Sequence, residues 1–69
     1  MITLNEFILD VMNLIEECPK CWRKGQSVFN IVDYKYNVAR DVQFIDGIDC
    51  FYNDEQIEPF LIAAYKRLV

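Results

Sequence analysis

Leu4, Phe7, Ile8, Val11, Met12 and Ile15 recur at i, i+3, i+4, i+7, i+8 and i+11, which is the spacing of one apolar stripe on an α-helix. Thr3-Leu4-Asn5-Glu6 ahead of that stripe reads as a capping box, in which Thr3 accepts from the Glu6 amide and Glu6 reaches back. Pro19 ends the element, because the residue before a proline is pushed out of the helical region. A second helical pattern runs from about Arg23 to Tyr36 on Val28, Phe29, Ile31, Val32 and Tyr36. Its β-branched residues weaken the intrinsic propensity, and Asn37 is placed to close it as a left-handed C-cap.

Residues 38–48 carry two patterns. Val38, Val42 and Ile45, with Ala39 for close approach, fit a short helix, whereas Val42, Phe44 and Asp46-Gly47 also fit a strand and turn. A lone strand would have no partner in so short a chain, so helix then turn is expected. Asn53 is a good N-cap for a last helix, with Gln56 at the capping-box position and Asp54 and Glu55 in the first turn. Ile57, Phe60, Leu61, Ala64 and Leu68 form its stripe, and Lys66 and Arg67 suit its C-terminal end. Pro59 lies late for a helix proline, but is tolerable if the helix starts near Asp54. The expectation is an all-α fold: a small bundle of three main helices plus a short irregular or helical segment at about 38–48, in one domain spanning 1–69.

Composition narrows the function more than it identifies it. At 69 residues, with 54% hydrophobic and 14% aromatic residues and only two Gly and two Pro, the chain has the profile of a packed globule. No apolar run approaches the ~18 residues of a membrane span, and the N-terminus lacks a basic leader. Three cysteines, an odd number, fit a reducing interior, so a cytoplasmic location is expected. A net charge of −4 disfavours direct nucleic-acid binding, which relies on Lys and Arg to neutralise phosphates. The charge is segregated: Asp41 to Glu58 holds six acids and no base, leaving seven bases against five acids elsewhere.

Candidate chemistry is sparse. Cys18-x-x-Cys21 is a single metal knuckle with only a distant Cys50 and no histidine to complete it, so no metal is assigned. A thioredoxin-type role would need a βαβ context that is missing. Without histidine, Gly-rich phosphate loop or nucleophile elbow, no catalytic residue and no cofactor is assigned, and the chain reads as a non-enzyme. The constellation that stands out is Arg23-x-Gly25-Gln26-x-x-Phe29-Asn30 together with Asp49, Tyr52 and Asp54. Helical spacing at i, i+3 and i+7 would set Arg23, Gln26 and Asn30 on one polar face. Gly25 near a helix start implies close approach of another backbone segment. Arg23 pairing with Asp49 or Asp54 would tie helix two to the start of the last helix. Arg23, Gln26, Asn30, Asp49, Tyr52 and Asp54 are therefore the candidate interaction residues, as a structural tie or as a partner-binding face.

The runs Arg23 to Asn30 and Gly47 to Asp54, followed by Ile57 and Phe60, resemble a group of very short uncharacterised proteins of phages, prophages and bacterial genomes. These share an R-x-G-Q-x-x-F-N run and a later D-x-F-Y-x-D run. The resemblance covers roughly Arg23 to Phe60 and implies a mobile-element context rather than an activity. Cys18 and Cys21 lie outside it, and Cys50 stands where the group often has proline, which implies a packing role. Two functions follow as expectations. One is a protein–protein interaction module, with another protein or itself as a homodimer, anchored by aromatics such as Trp22, Tyr34, Tyr52 and Tyr65. The alternative is an acidic anti-defence inhibitor whose 41–58 face mimics nucleic acid in a host protein's groove. No membrane partner is expected.

Overall fold

The computed structural model describes residues 2–69. Helix α1 (Leu4–Ile15) opens on the expected capping box, with Glu6 N–H donating to Thr3 Oγ1 at 3.1 Å and Thr3 N–H to Glu6 Oε1 at 2.8 Å. Two of the four orphan amides at the helix start are thereby satisfied. Helix α2 (Lys24–Ile31) runs without a break into a single π-helical turn over Val32–Tyr36. Asn37 closes this unit at φ 60°, its amide donating to Val32 and Asp33 carbonyls. Asparagine tolerates this left-handed conformation better than most residues, which is why it can stop the helix here.

The ambiguous middle folds as a short helix, α3 (Ala39–Phe44), with Ala39 and Val42 buried, and turns at Gly47 with φ 73°. No strand occurs among the described residues. Residues 47–50 return along the core to a 3₁₀ turn, Asp54–Gln56, and helix α4 (Ile57–Leu68) follows. Asn53 accepts from the Glu55 amide at 3.0 Å, so it caps the 3₁₀ turn and not the α-helix proper. That offset accounts for Pro59. It is the third residue of α4, where a missing N–H removes no intrahelical bond.

The architecture is all-α, with α1, α2 and α4 as main helices and α3 as the short segment. Phe7, Val11, Val28, Val32, Val42 and Phe60 are fully buried at its centre. Phe7 fixes the relation of three elements: its ring lies 4.9 Å from Tyr36 edge-on and 6.0 Å from Tyr65. Tyr65 then donates to the Ile2 carbonyl at 2.8 Å, pinning the start of the chain to α4. Tyr65, expected among the interface anchors, is thus half-buried and used inside the fold. Among the described residues, no helix is long and apolar enough to cross a membrane.

Polar ties add register at the periphery. Lys35 Nζ at 2.6 Å and Tyr36 Oη at 2.5 Å both donate to Asp10 Oδ2, joining α1 to the π turn. These bonds hold the Asp10 carboxyl below its ordinary 3.8, and burial followed by the bond to Asp10 pushes the Tyr36 phenol up to about 12. Arg67 makes two bonds to Asp46, at 2.9 and 3.1 Å, which likewise lower the Asp46 carboxyl. So Arg67, expected to serve the C-terminal end of its own helix, also reaches across to the turn after α3.

Because the native pKa of Asp10 is depressed, its contribution to stability is complete above the unfolded value near 3.8 and disappears as pH falls through the lowered native value. Urea titrations between pH 7 and pH 2 should therefore show a loss of stability below about pH 4 that is smaller in Asp10→Asn. An identical acid profile in wild type and variant would contradict this tie.

Candidate functional site

Helix α2 starts without a capping side chain of its own. Its N-cap, Arg23, has extended backbone (φ −69°, ψ 159°) and makes no side-chain cap bond. The acceptor comes instead from Asp54, whose Oδ1 takes the Gly25 N–H at 3.1 Å. Gly25 is the second helical residue, so Asp54 does what an N-cap Asp would do, from 29 residues away. The Arg23 guanidinium turns outward to the same place, donating to the Phe51 carbonyl and lying 3.6 Å from Asp54 Oδ1. Opposite it, the buried Cys50 thiol donates to the Gly25 carbonyl at 3.3 Å.

Glycine is required at this point by contact. A Cβ on Gly25 would stand 2.1 Å from the Cys50 carbonyl oxygen and 2.7 Å from Asp54 Oδ1. Asp49 bends the approaching segment by accepting from the Phe51 N–H at 2.8 Å. Phe51 meets Phe29 edge-on at 5.4 Å, and Phe60 lies 5.6 Å from Phe29 on the buried side. Tyr52 meets Phe51 edge-on at 4.7 Å but is 75% exposed.

The six candidate residues are therefore divided. Arg23, Asp49 and Asp54 meet at this junction, with Arg23 paired to Asp54 and not to Asp49, and Tyr52 lies at its edge. Gln26 and Asn30 are half-buried and make no hydrogen bond to the loop among the described residues. Arg23, at the N-cap of α2, is turned to the Phe51 carbonyl and Asp54, whereas Asn30 lines a groove on another side, and no hydrogen bond joins the two or either of them to Gln26 among the described residues. The segregated acids are also partly answered: Asp46 is held by Arg67 and Asp54 by Arg23.

Asn30 lines a different feature, an apolar groove of about 720 Å³ between the end of α1, the following turn and the outer side of α2. Leu14, Cys18, Pro19, Trp22, Ile31 and Tyr34 provide its apolar surface, with Glu17, Asn30 and Lys35 among its polar lining. Tyr34 is 90% exposed beside it. The sequence signal for this groove was the pair Trp22 and Tyr34, aromatics outside every helical stripe; their convergence with Leu14 across two helices has no local signature. A second depression of about 590 Å³ lies between Asp46, Ile48, Pro59, Ile62 and Arg67. The Arg67–Asp46 pair lies in its wall, so two of its charged groups already serve the fold, and Lys66 lines it as well.

The thiols differ sharply. Cys50 is fully buried, and burial, reinforced by the nearby Asp49 carboxylate, pushes it up to about 12. Cys18 is half-buried with its sulfur 3.7 Å from the Leu14 carbonyl, and Cys21 is exposed on the turn. None of the three is paired. No group of three or more Cys, Asp or Glu that could hold a metal occurs among the described residues.

No protein-family model, curated protein or solved structure matches the chain.

Two predictions come from the junction. Alanine is the better helix former by about 1 kcal/mol, yet Gly25→Ala should destabilise by about 3 kcal/mol because the backbone carbonyl it meets cannot swing away. Asp54→Ala should cost about 1–2 kcal/mol, and Asp54→Asn, which keeps the acceptor, clearly less. Urea midpoints measure all three, and a stabilising Gly25→Ala would contradict the contact. In timed alkylation of the native chain read by mass spectrometry, Cys21 should label first, Cys18 later, and Cys50 only on unfolding. Early labelling of Cys50 would contradict its burial.

Proposed function

We propose that this chain is a small non-enzymatic interaction module, of the mobile-element kind its motifs resemble, that binds an apolar helical segment of another protein in the groove between α1 and α2. The observation that carries this reading is the groove itself. It combines apolar side chains from two helices and a turn with two aromatics, Trp22 and Tyr34, the residue types that dominate binding energy at interfaces. It is open, of ligand size, and owes nothing to the junction at Gly25, whose polar groups are engaged in holding the fold together.

A partner of different sequence is favoured over a second copy. The accessible surface is 4593 Å², close to the about 4,500 Å² that a compact monomer of this mass exposes. That match, with a buried cluster drawn from all four α-helices of the one chain, supports a core that needs no second copy to complete it. The acidic-mimic alternative is weakened because two of the six carboxylates in 41–58, Asp46 and Asp54, are bound to arginines. An odd number of cysteines, none of them paired, supports a reducing compartment such as the cytoplasm. The non-enzymatic reading rests on the same groove, whose lining offers one carboxylate and no paired acid and base for proton transfer.

Tyr34→Asp tests this reading, because a side chain that is 90% exposed can be replaced within about 0.5 kcal/mol of wild-type stability. A partner recovered from the source cell on the immobilised chain should be retained about tenfold less by Tyr34→Asp, while Tyr52→Asp retains it normally. Equal retention by both variants, or loss confined to Tyr52→Asp, would contradict the assignment.

A further inference from the structure

We infer that the segment received by the groove is a basic amphipathic helix, with its apolar stripe on Leu14, Trp22 and Ile31 and an arginine or lysine at the Glu17 end. This rests on the groove being a docking surface, and it follows from the charge around it. Helix α1 ends at the groove with exposed Glu16 and Glu17 and no basic residue in its last turn. The C-terminal end of a helix already carries partial negative charge, so two carboxylates there are mutually unfavourable and uncompensated within the helix. A cation from outside would relieve both.

The positive charges nearby do not supply it. Lys35 lines the groove, but its ammonium is committed to Asp10 at 2.6 Å. Lys20 lies on the exposed turn outside the lining. The two aromatic side chains at the groove, Trp22 and Tyr34, present the kind of face on which a guanidinium or ammonium rests favourably. A volume of about 720 Å³ suits several apolar side chains on one helix face and exceeds the need of a single amine. The net charge of −4 would also speed encounter with a basic partner.

Trp22 is the chain's one tryptophan and lines the groove, so its emission reports occupancy directly. The probes are an amphipathic Leu/Lys peptide of about 14 residues, long enough to be helical when bound, the same peptide with Glu for Lys, and a scrambled Leu/Lys sequence. The Leu/Lys helix should shift Trp22 emission and bind about tenfold more tightly than either control. Glu16→Gln with Glu17→Gln should weaken it about fivefold, whereas Asp41→Asn with Glu58→Gln, on the remote acidic segment, should not. Equal binding of the Glu peptide, with the shift, would overturn the basic partner and leave the docking groove standing. Equal binding of the scrambled peptide, or equal weakening by the remote pair, would reduce the contact to bulk charge and overturn it. No peptide moving Trp22 would remove both the partner and the groove. Emission that changes with protein concentration alone, matched by dimer in sedimentation, would assign the groove to a second copy and overturn the inference.

Discussion

The carboxylate of Asp54 at the start of α2 is the contact on which the arrangement of this chain depends. Helix α2 has no capping side chain of its own, and the acceptor for its Gly25 amide arrives from 29 residues further on. The same carboxylate holds Arg23, and the same approach brings the Cys50 carbonyl to where a Gly25 side chain would be. The magnitudes divide the work. A cap contributes about 1 kcal/mol and a half-exposed ion pair less, whereas burying a phenylalanine contributes about 1.5–3 kcal/mol. The polar contacts therefore set the register in which α4 meets α2, and Phe29, Phe51 and Phe60, packed at 5.4 and 5.6 Å, supply most of the energy once that register is set.

How much of this was legible in the residues depended on range. Thr3 and Glu6, Asn37 and the stripe of α1 act within one turn of chain, and periodicity and capping chemistry read them directly. Gly25 and the Arg23–Asp54 tie were readable as a juxtaposition, because a glycine at a helix start and an arginine beside a run of acids each call for a neighbour. The details that escaped are those set by tertiary packing. The engagement of the Arg23 guanidinium by the Phe51 carbonyl and Asp54, away from Gln26 and Asn30, is one of them. The π turn over Val32–Tyr36, which carries Lys35 and Tyr36 to Asp10, has no marker in the sequence. The groove needs Leu14 and Tyr34, twenty positions apart, to be brought together by the fold.

That division also separates the fold's interior chemistry from its candidate working surface. The conspicuous motif residues, Arg23, Gly25, Asp49 and Asp54, are turned on one another and on backbone groups. The less conspicuous residues at the end of α1 and the outer side of α2 are left with apolar and aromatic surface beside an uncompensated acidic helix end. The junction that organises the core and the face proposed for docking are thus separate parts of the surface.

Amide hydrogen exchange at Gly25 tests the central contact most directly. As the second residue of a helix, Gly25 would ordinarily donate to water and exchange rapidly. The Asp54 cap predicts protection close to that of core amides in the unit of α2 and its π turn such as Val32, and its collapse in Asp54→Ala while Val32 remains protected. A Gly25 amide that exchanges as fast as that of neighbouring Lys24 in the wild-type chain would contradict the account.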